Sequence, residues 1–263
     1  MLMNTLRAIY TIWSRDMLRF RRDRARVLSS IGQPLLFLLV FGAGFSPSMT
    51  NIGSGEIGFT QFLFPGIIAM TVLFTAVYSA VSIVWDRQFG FLKEVMVTPA
   101  SRWSVALGKV AGGTTVAVLQ GLIMLIFAPL LGLHLGWAEI LTLFGLLVLL
   151  AAMLTSLGLL LAARQRSMEG FHMVMNFVLL PLFFLSSAFF PLQGVPIWMR
   201  VLAALDPVTY GVDPLRAATL SGNVPAAALQ AVTLHPVLVN VALMAAFSLL
   251  FLAPGIWLFS RQD

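Results

Sequence analysis

Long uncharged runs alternate with short polar stretches along most of this chain. Residues 57–85 and 110–138 contain no Asp, Glu, Lys or Arg, whereas the stretch between them, residues 86–109, carries charges of both signs. A bilayer core about 30 Å thick is crossed by about 20 apolar residues in a helix, so each run is long enough to span it. The pattern predicts six spanning helices in the whole chain, over residues 28–46, 62–85, 107–132, 139–162, 171–190 and 237–259.

The N-terminal stretch shows a helical pattern of a different kind. Apolar residues recur there at spacings of 3 and 4 and form one stripe, while arginines form a second stripe on another face: Leu6, Ile9, Trp13, Met17 and Phe20 against Arg15, Arg19, Arg22 and Arg26. Such a pairing of stripes, with a Trp in the apolar one, is typical of a helix lying in the headgroup plane of a membrane. We therefore predict an interfacial helix over residues 1–27. A solvated basic tail that only fixes the topology is the alternative.

Composition limits the class of protein. Hydrophobic residues make up 59% of the chain, charged residues 10%, and the mean hydropathy is +0.95, which excludes ordinary globular and disordered chains. We predict an all-α integral membrane protein with a single transmembrane domain. Its parts are the interfacial helix (1–27), spans one to five (28–190), an external region with short helices at Ile197–Leu205 and Asp213–Leu220 (191–236), and span six with a cytoplasmic tail (237–263).

The distribution of basic residues predicts the orientation. With both termini inside, only Arg200 and Arg216 of the 16 Lys and Arg residues lie outside, as the positive-inside rule requires. The net charge of +6 therefore needs no nucleic-acid partner, and membrane lipid is the surface that these residues meet. We expect a multi-pass protein of the bacterial cytoplasmic (inner) membrane with both termini cytoplasmic.

The sequence offers no chemistry of its own. It lacks a phosphate-binding Gly-x-x-x-x-Gly-Lys-Ser/Thr loop, a His-Glu-x-x-His motif and a Gly-x-Ser-x-Gly motif. It has no cysteine, and His134, His172 and His235 lie too far apart in sequence to suggest a metal site. We therefore expect no catalytic residues, no metal and no cofactor in this chain, which is not predicted to be an enzyme.

Transport driven by an ion gradient is one alternative function. Carriers of that kind keep ionisable residues inside their spans, and no span carries one near its middle. The polar residues in or near the spans are amides that are expected to link helices through hydrogen bonds, namely Gln33, Gln120, Asn176 and Asn240. A membrane assembly subunit that transports nothing is a further alternative.

Four stretches carry a resemblance to a known family. They are Phe64-Pro65-Gly66-Ile67; Arg87, Gly90, Lys93-Glu94, Thr98-Pro99, Ser101-Arg102 and Gly108-Lys109; Phe190-Pro191 to Val195-Pro196 and Trp198; and Asp206-Pro207-Val208-Thr209-Tyr210-Gly211-Val212-Asp213-Pro214-Leu215-Arg216. In order and spacing they resemble the permease subunits of type-2 ATP-binding-cassette (ABC) exporters, which export drugs, polysaccharides and nodulation factors. That family more often has Asn at the position of Asp206.

The resemblance implies that a separate subunit supplies the energy for transport. Residues 89–97 would form a cytoplasmic coupling helix that docks into a separate ABC ATPase, present in two copies, which binds ATP and Mg²⁺. Pro99 ends such a helix because it disfavours helical backbone at Thr98. An amphipathic loop helix resting on the bilayer is the alternative. The residues assigned to coupling are Arg87, Phe89, Gly90, Phe91, Lys93, Glu94, Val97, Thr98, Pro99 and Arg102.

The resemblance also implies a path between two permease subunits, as a homodimer or a heterodimer, for an amphipathic drug, lipid or glycan-lipid. Small hydroxyl residues share one face of the second span and suit close packing or a polar path. The candidate lining residues are Thr71, Thr75, Ser79, Ser82 and Asn176. In the external region, which resembles the family's short re-entrant helices, Asp213 and Arg216 are spaced to form a structural pair on one helical face.

Overall fold

The computed structural model describes residues 2–45, 57–88, 101–165, 167–192 and 194–260, apart from the side chains of residues 2–4 and 24–27. Within this part the helices are joined by turns and short irregular connections, and there is no β-strand. In chain order the α-helices are α1 (Leu2–Arg22), α2 (Arg24–Phe45), α3 (Phe59–Ser79), α4 (Val81–Gln88), α5 (Arg102–Leu125), α6 (Trp137–Ala163), α7 (Met168–Leu185), α8 (Ile197–Leu205), α9 (Thr209–Leu220), α10 (Ala226–Val232) and α11 (Val237–Ser260).

Six helical segments are long and apolar enough to cross a membrane. They are formed by α2, by α3 with α4, by α5, by α6, by α7 and by α10 with α11. The prediction of an all-α integral membrane protein with six spans is therefore confirmed. The chain is a multi-pass membrane protein, since its apolar segments have the length that a bilayer requires.

The core of the bundle lies between α3, α5 and α6, which contact one another along their lengths. Ile67, Leu73 and Leu147 are fully buried there. Three further contacts complete the bundle, because α11 packs along α6, α1 along α5, and α2 along α3. The outward faces of α2, α7 and α11 stay largely exposed within this single chain, so these three spans have apolar surface left to meet lipid or another subunit.

Two helix ends differ from the predicted spans. The third span ends as an α-helix at Leu125 and continues only as a short 3-10 helix, Ala128–Leu131. Pro129 supplies no amide hydrogen to continue an α-helix, and Gly132 then turns the chain with a φ of 72°. The fifth span ends at Leu185, because Ser187 adopts a left-handed φ of 60°. Neither helix end can be located from the sequence pattern, because the chain contains further apolar residues beyond each of them.

The region between spans five and six contains short helices, as predicted. α8 has the predicted bounds, whereas α9 begins at Thr209 and not at Asp213. The earlier start follows a turn in which the Asp206 carboxylate accepts a hydrogen bond from the Val208 amide at 2.8 Å. α9 packs against α3, α6 and α11, and it is buried over almost its whole length.

The start of span two approaches the turn after α7 very closely. A Cβ atom at Gly66 would lie 2.7 Å from the carbonyl oxygen and 2.8 Å from the Cβ of Ala188. No side chain fits at that distance, so Gly66 allows the backbones to meet. This contact holds the turn after α7 against α3.

Candidate functional site

A buried lysine is the centre of a cluster of charges at one end of the bundle. Lys109 of α5 is 6% exposed. Its Nζ atom lies 2.9 Å from Asp86 Oδ2 and 3.4 Å from Asp16 Oδ1, and it donates a hydrogen bond to the Ser82 hydroxyl at 3.0 Å. All three donor hydrogens of the ammonium group therefore have an oxygen acceptor.

An arginine from the N-terminal helix completes this cluster. Arg15 Nη2 lies 2.8 Å from Asp86 Oδ2, and its Nε lies 3.9 Å from Asp16 Oδ1. Two cations thus face two anions, and we call Arg15, Asp16, Asp86 and Lys109 the charge cluster. It joins α1, α4 and α5. Because Lys109 and both carboxylates are largely shielded from water, loss of one partner would leave a buried charge uncompensated.

Glycines on α5 bring α1 close enough to form the charge cluster. A Cβ atom at Gly108 would lie 2.9 Å from Ile12 Cβ, and one at Gly112 would lie 3.1 Å from Asp16 Oδ2. Small residues four apart let two helices approach in this way. The Trp13 indole also donates a hydrogen bond to the Thr115 hydroxyl at 3.0 Å. α1 is therefore a packed part of the bundle as well as an amphipathic helix.

Two residues of the charge cluster, Asp86 and Lys109, flank in sequence the segment assigned to ATPase coupling. Of the assigned residues, Arg87 and Arg102 are described; Phe89, Gly90, Phe91, Lys93, Glu94, Val97, Thr98 and Pro99 lie outside the described residues. Asp86 comes just before the segment 89–100, and Lys109 follows it by about two helical turns. A displacement of the segment would therefore act on the cluster both through Asp86, which precedes the segment, and through Lys109, which follows it.

Two arginines attach the residues on either side of this segment to other helices. Arg87 donates hydrogen bonds to the carbonyl oxygens of Ala163, at 3.5 Å, and Gln165. Arg102 donates one to the carbonyl oxygen of Ser260 at 3.0 Å. These acceptors lie at or just after the C-termini of α6 and α11, where carbonyl groups lack intrahelical partners and the helix dipole favours a cation. The described residues that flank the segment 89–100 are thereby attached to the bundle.

A cavity of about 530 Å³ lies between α2, α3, α5 and α7. Of the predicted lining residues, Thr71, Thr75 and Asn176 reach it. Ser79 and Ser82 do not, and instead line a pocket of about 60 Å³ beside α1 and α5. The hydroxyl stripe is therefore divided between two environments, because α1 covers the later residues of the span.

Several polar residues of this cavity had no lining role predicted from the sequence. They are Ser29, Ser30, Gln33, Tyr78, Gln120 and His172. Gln120 is 1% exposed and joins three helices, since its amide contacts the hydroxyls of Thr75 and Ser30. The sequence analysis did single out Gln33 and Gln120 as polar residues within spans one and three, but it assigned them to hydrogen bonds between helices. Gln120 makes such bonds and also lines the cavity.

Two amides at this cavity are left for other partners. The side chains of Gln33 and Asn176 are exposed, and neither makes a hydrogen bond within the described part of the chain. Exposed amides within apolar spans are costly in contact with lipid. Water, substrate or another subunit would satisfy them.

The predicted pair in α9 does not form directly. Asp213 and Arg216 are each 1% exposed, yet no ion pair joins them among the described residues. The Asp213 carboxylate accepts hydrogen bonds from the amides of Leu234 and His235 and from the Asn240 side chain. The prediction of a pair considered only residues on the same face of the helix. In the structure, donors from the residues before α11 and from α11 itself lie closer to the Asp213 carboxylate than Arg216 does.

The arginine of this predicted pair is held by other elements. Arg216 donates to the carbonyl oxygens of Ser187 at 2.7 Å and Val232 at 3.5 Å. Its guanidinium carbon lies 4.0 Å from the centre of the Phe62 ring. Arg216 thus connects α3, the turn after α7 and α10, and this role is structural.

Asp206 gives the region a pH dependence. Burial raises the pKa of Asp206 to about 8, although the hydrogen bond from the Val208 amide opposes the shift. A folded-state pKa above the unfolded one means that stability falls as pH rises from about 4 to about 8, by up to about 1.4 kcal/mol per pH unit.

The melting temperature of the protein in detergent should therefore fall as pH rises over this range. In Asp206→Asn, which keeps the acceptor oxygen, we expect a flatter profile; parallel profiles would contradict this assignment.

Comparison with known proteins gives a consistent result. Residues 7–220 match the model of the ABC-2 type transporter family. The chain is 30% identical over 213 residues to the transport permease ycf38 of Cyanophora paradoxa, covering 80% of this chain and 73% of that protein. It is 28% identical over 229 residues to the inner membrane transport permease YadH of Escherichia coli K12 (82% and 84% covered). It is 25% identical over 208 residues to nodulation protein J of Rhizobium leguminosarum bv. viciae (78% and 79% covered).

Proposed function

The chain belongs to the ABC-2 type transporter family as a membrane permease subunit, and from this premise we propose that it forms the pathway of an ATP-driven exporter. Membership of the family implies association with an ABC ATPase. In the proposed assembly two ATPase subunits bind ATP and Mg²⁺ and carry out hydrolysis, while two permease subunits form the pathway. This chain then contributes no catalytic group. It converts the movement of the ATPase subunits into opening of the pathway.

The observation that carries this proposal is the position of the charge cluster. It includes a residue just before the segment 89–100 and a residue shortly after it, and the two are joined by the 2.9 Å contact between Asp86 and Lys109. A push on the segment would therefore move α4 and α5 together, since separating two partly buried opposite charges is costly. α1 would follow through Arg15 and Asp16.

The cavity between α2, α3, α5 and α7 is the proposed start of the pathway. Its volume of about 530 Å³ lies within the range of sites that enclose small molecules. Hydroxyl and amide groups share its wall with Phe74, Leu179 and Leu180, a mixture that suits an amphipathic substrate. We propose that Thr71, Thr75 and Asn176 contact the substrate in this cavity, whereas Ser79 and Ser82 transmit movement at the α1 contact.

Ion-coupled transport has less support. Within the described residues, the cavity wall contains no Asp, Glu, Lys or Arg, and its one histidine, His172, lies near the start of α7. A carrier would instead keep an ionisable residue for the coupling ion deep within its spans. We place both termini and the charge cluster on the cytoplasmic side of a bacterial inner membrane, because this orientation keeps nearly all Lys and Arg residues inside. Export of a drug, a lipid or a glycan-lipid is compatible with this arrangement.

Co-purification tests the proposed ATPase partnership. We expect the wild-type chain, extracted in mild detergent, to retain an ABC ATPase. Glu94→Ala and Phe91→Ala should each reduce that retention at least about tenfold, since anchors at the centre of an interface carry most of its binding energy. Glu139→Ala is the control, because Glu139 lies in the first turn of α6, at the opposite end of that helix from its Arg87 contact. If wild type retains no ATPase under any nucleotide condition, the proposal fails.

A further inference from the structure

A second cavity, of about 540 Å³, lies at the end of the bundle opposite the charge cluster. It is formed between α8, α9 and the residues just before α11, with Arg200, Thr209, Tyr210 and His235 among its lining residues. This cavity is separate from the proposed pathway, and ligand binding in it would not depend on the proposed function.

Two groups at this cavity have no partner within the described part of the chain. The hydroxyl of Thr209 has no hydrogen-bond partner although the residue is only 2% exposed. The guanidinium of Arg200 is exposed and makes no ion pair or hydrogen bond within the part of the chain that is described. By contrast the Tyr210 hydroxyl is already used, because it donates to the carbonyl oxygen of Ala204 at 2.6 Å. Tyr210 forms a fixed wall beside the two free donors.

The charge around the cavity favours an anion. Its described lining contains no carboxylate. Behind the wall, the Asp213 carboxylate is occupied by three hydrogen-bond donors. Burial raises the pKa of Asp206 to about 8, so its carboxyl group is mostly uncharged at neutral pH. Arg200 therefore sets the sign of the local field.

The surface next to Arg200 favours a ligand that also has an apolar part. Ile197, Trp198, Val201 and Leu205 of α8 are each more than half exposed, so an apolar helix face continues from the cavity rim. Arginine and tryptophan together on such a face are typical of the boundary between lipid tails and headgroups.

We propose that this cavity binds a phosphate group, held by the Arg200 guanidinium and the Thr209 hydroxyl. A guanidinium can donate two parallel hydrogen bonds to phosphate oxygens, and the hydroxyl supplies a third donor. The phosphate can come from an anionic phospholipid headgroup, whose tails would cover α8, or from free phosphate.

Lipid titration of the full chain in detergent tests the site. Phosphatidylglycerol is added and binding is followed by native mass spectrometry, with phosphatidylcholine as the zwitterionic comparison. We expect Arg200→Gln to weaken phosphatidylglycerol binding at least about tenfold, since hydrogen bonds to charged groups are the strong ones. Arg200→Lys should restore part of it. Arg7→Gln removes another exposed arginine, in α1, and should leave binding unchanged.

A second variant separates binding from folding. Thr209→Val keeps the shape of a side chain whose hydroxyl has no partner, so the melting temperature should stay equal or rise while binding weakens about threefold or more. If millimolar inorganic phosphate competes with the lipid, the site recognises the phosphate group alone. If the lipid binds and inorganic phosphate does not compete, the ligand is the whole phospholipid, headgroup and tails together. Equal binding losses in Arg200→Gln and Arg7→Gln, or wild-type binding in Arg200→Gln, would overturn the site.

Discussion

Replacing Lys109 with Met should destabilise the protein by about 3 to 5 kcal/mol, the range for removing one partner of a buried ion pair. Lys109 is 6% exposed and lies within 3.5 Å of two carboxylates. Methionine has nearly the same length, so little cavity forms, and the loss is one of charge. Asp16 and Asp86 would then face each other with only Arg15 to compensate them.

Unfolding in detergent, followed by tryptophan fluorescence, measures this effect. Arg7→Met is the matched control, because it removes an exposed cation from α1 and should change stability by less than about 0.5 kcal/mol. Adding Asp16→Asn to the Lys109→Met protein should recover part of the loss, since the two residues are in contact and their effects are not additive. If Lys109→Met is as stable as Arg7→Met, the charge cluster is not a structural link.

Replacing Arg216 with Met should have a comparable effect, about 3 kcal/mol or more, for a related reason. Arg216 is 1% exposed, and its hydrogen bonds to the carbonyl groups of Ser187 and Val232 would be lost. Burial lowers the pKa of Arg216 to about 10, against the opposing effect of Asp213, so the group is charged at neutral pH. Without it, the Asp213 carboxylate stays buried and loses the positive charge of Arg216.

Thermal unfolding of two further variants identifies the cause. Arg216→Lys keeps the charge, but a single ammonium cannot reach two carbonyl groups and also stack on the Phe62 ring, so it should recover only part of the loss. Arg200→Met, the control, removes an exposed arginine without a partner in the described part of the chain and should be near neutral. Full rescue by lysine would mean that charge alone matters at Arg216.

The spans and the short helix α8 could be predicted because they depend on length and on local pattern. An apolar run of about 20 residues has few alternatives to a membrane helix. The interruption between α3 and α4 at Ala80 could not be predicted in the same way, since no residue type there requires it.

The charge cluster depends on contacts that a sequence pattern does not reveal. Asp86 and Lys109 belong to a stretch that was correctly identified as charged, but their contacts with Arg15 and Asp16 join residues more than 70 positions apart. Such contacts depend on how α1 packs against Gly108 and Gly112, which is a tertiary property. The lining stripe has the same limitation, because helical spacing places Thr71 and Ser82 on one face but does not show which neighbour each of them meets.

The assignment of coupling residues stays a prediction for the segment 89–100, whereas the contacts of its two anchors are known. Arg87 and Arg102 each donate to carbonyl groups at or just beyond the end of another helix. The sequence suggested contact with an ATPase for both side chains, whereas in the structure they attach the residues flanking the segment to α6 and α11. The two roles are compatible, since a segment that transmits force needs fixed ends.

Nucleotide-dependent labelling tests the central claim most directly, and the chain suits it because it contains no cysteine. A single cysteine is introduced by Asn176→Cys, at the cavity, or by Phe177→Cys, its exposed neighbour outside the cavity wall. In the complex with its ATPase, ATP should change the labelling rate of the first several-fold and leave the second unchanged, and Lys109→Met should abolish the difference. A labelling rate at Asn176→Cys that stays the same during ATP hydrolysis would contradict the proposed coupling.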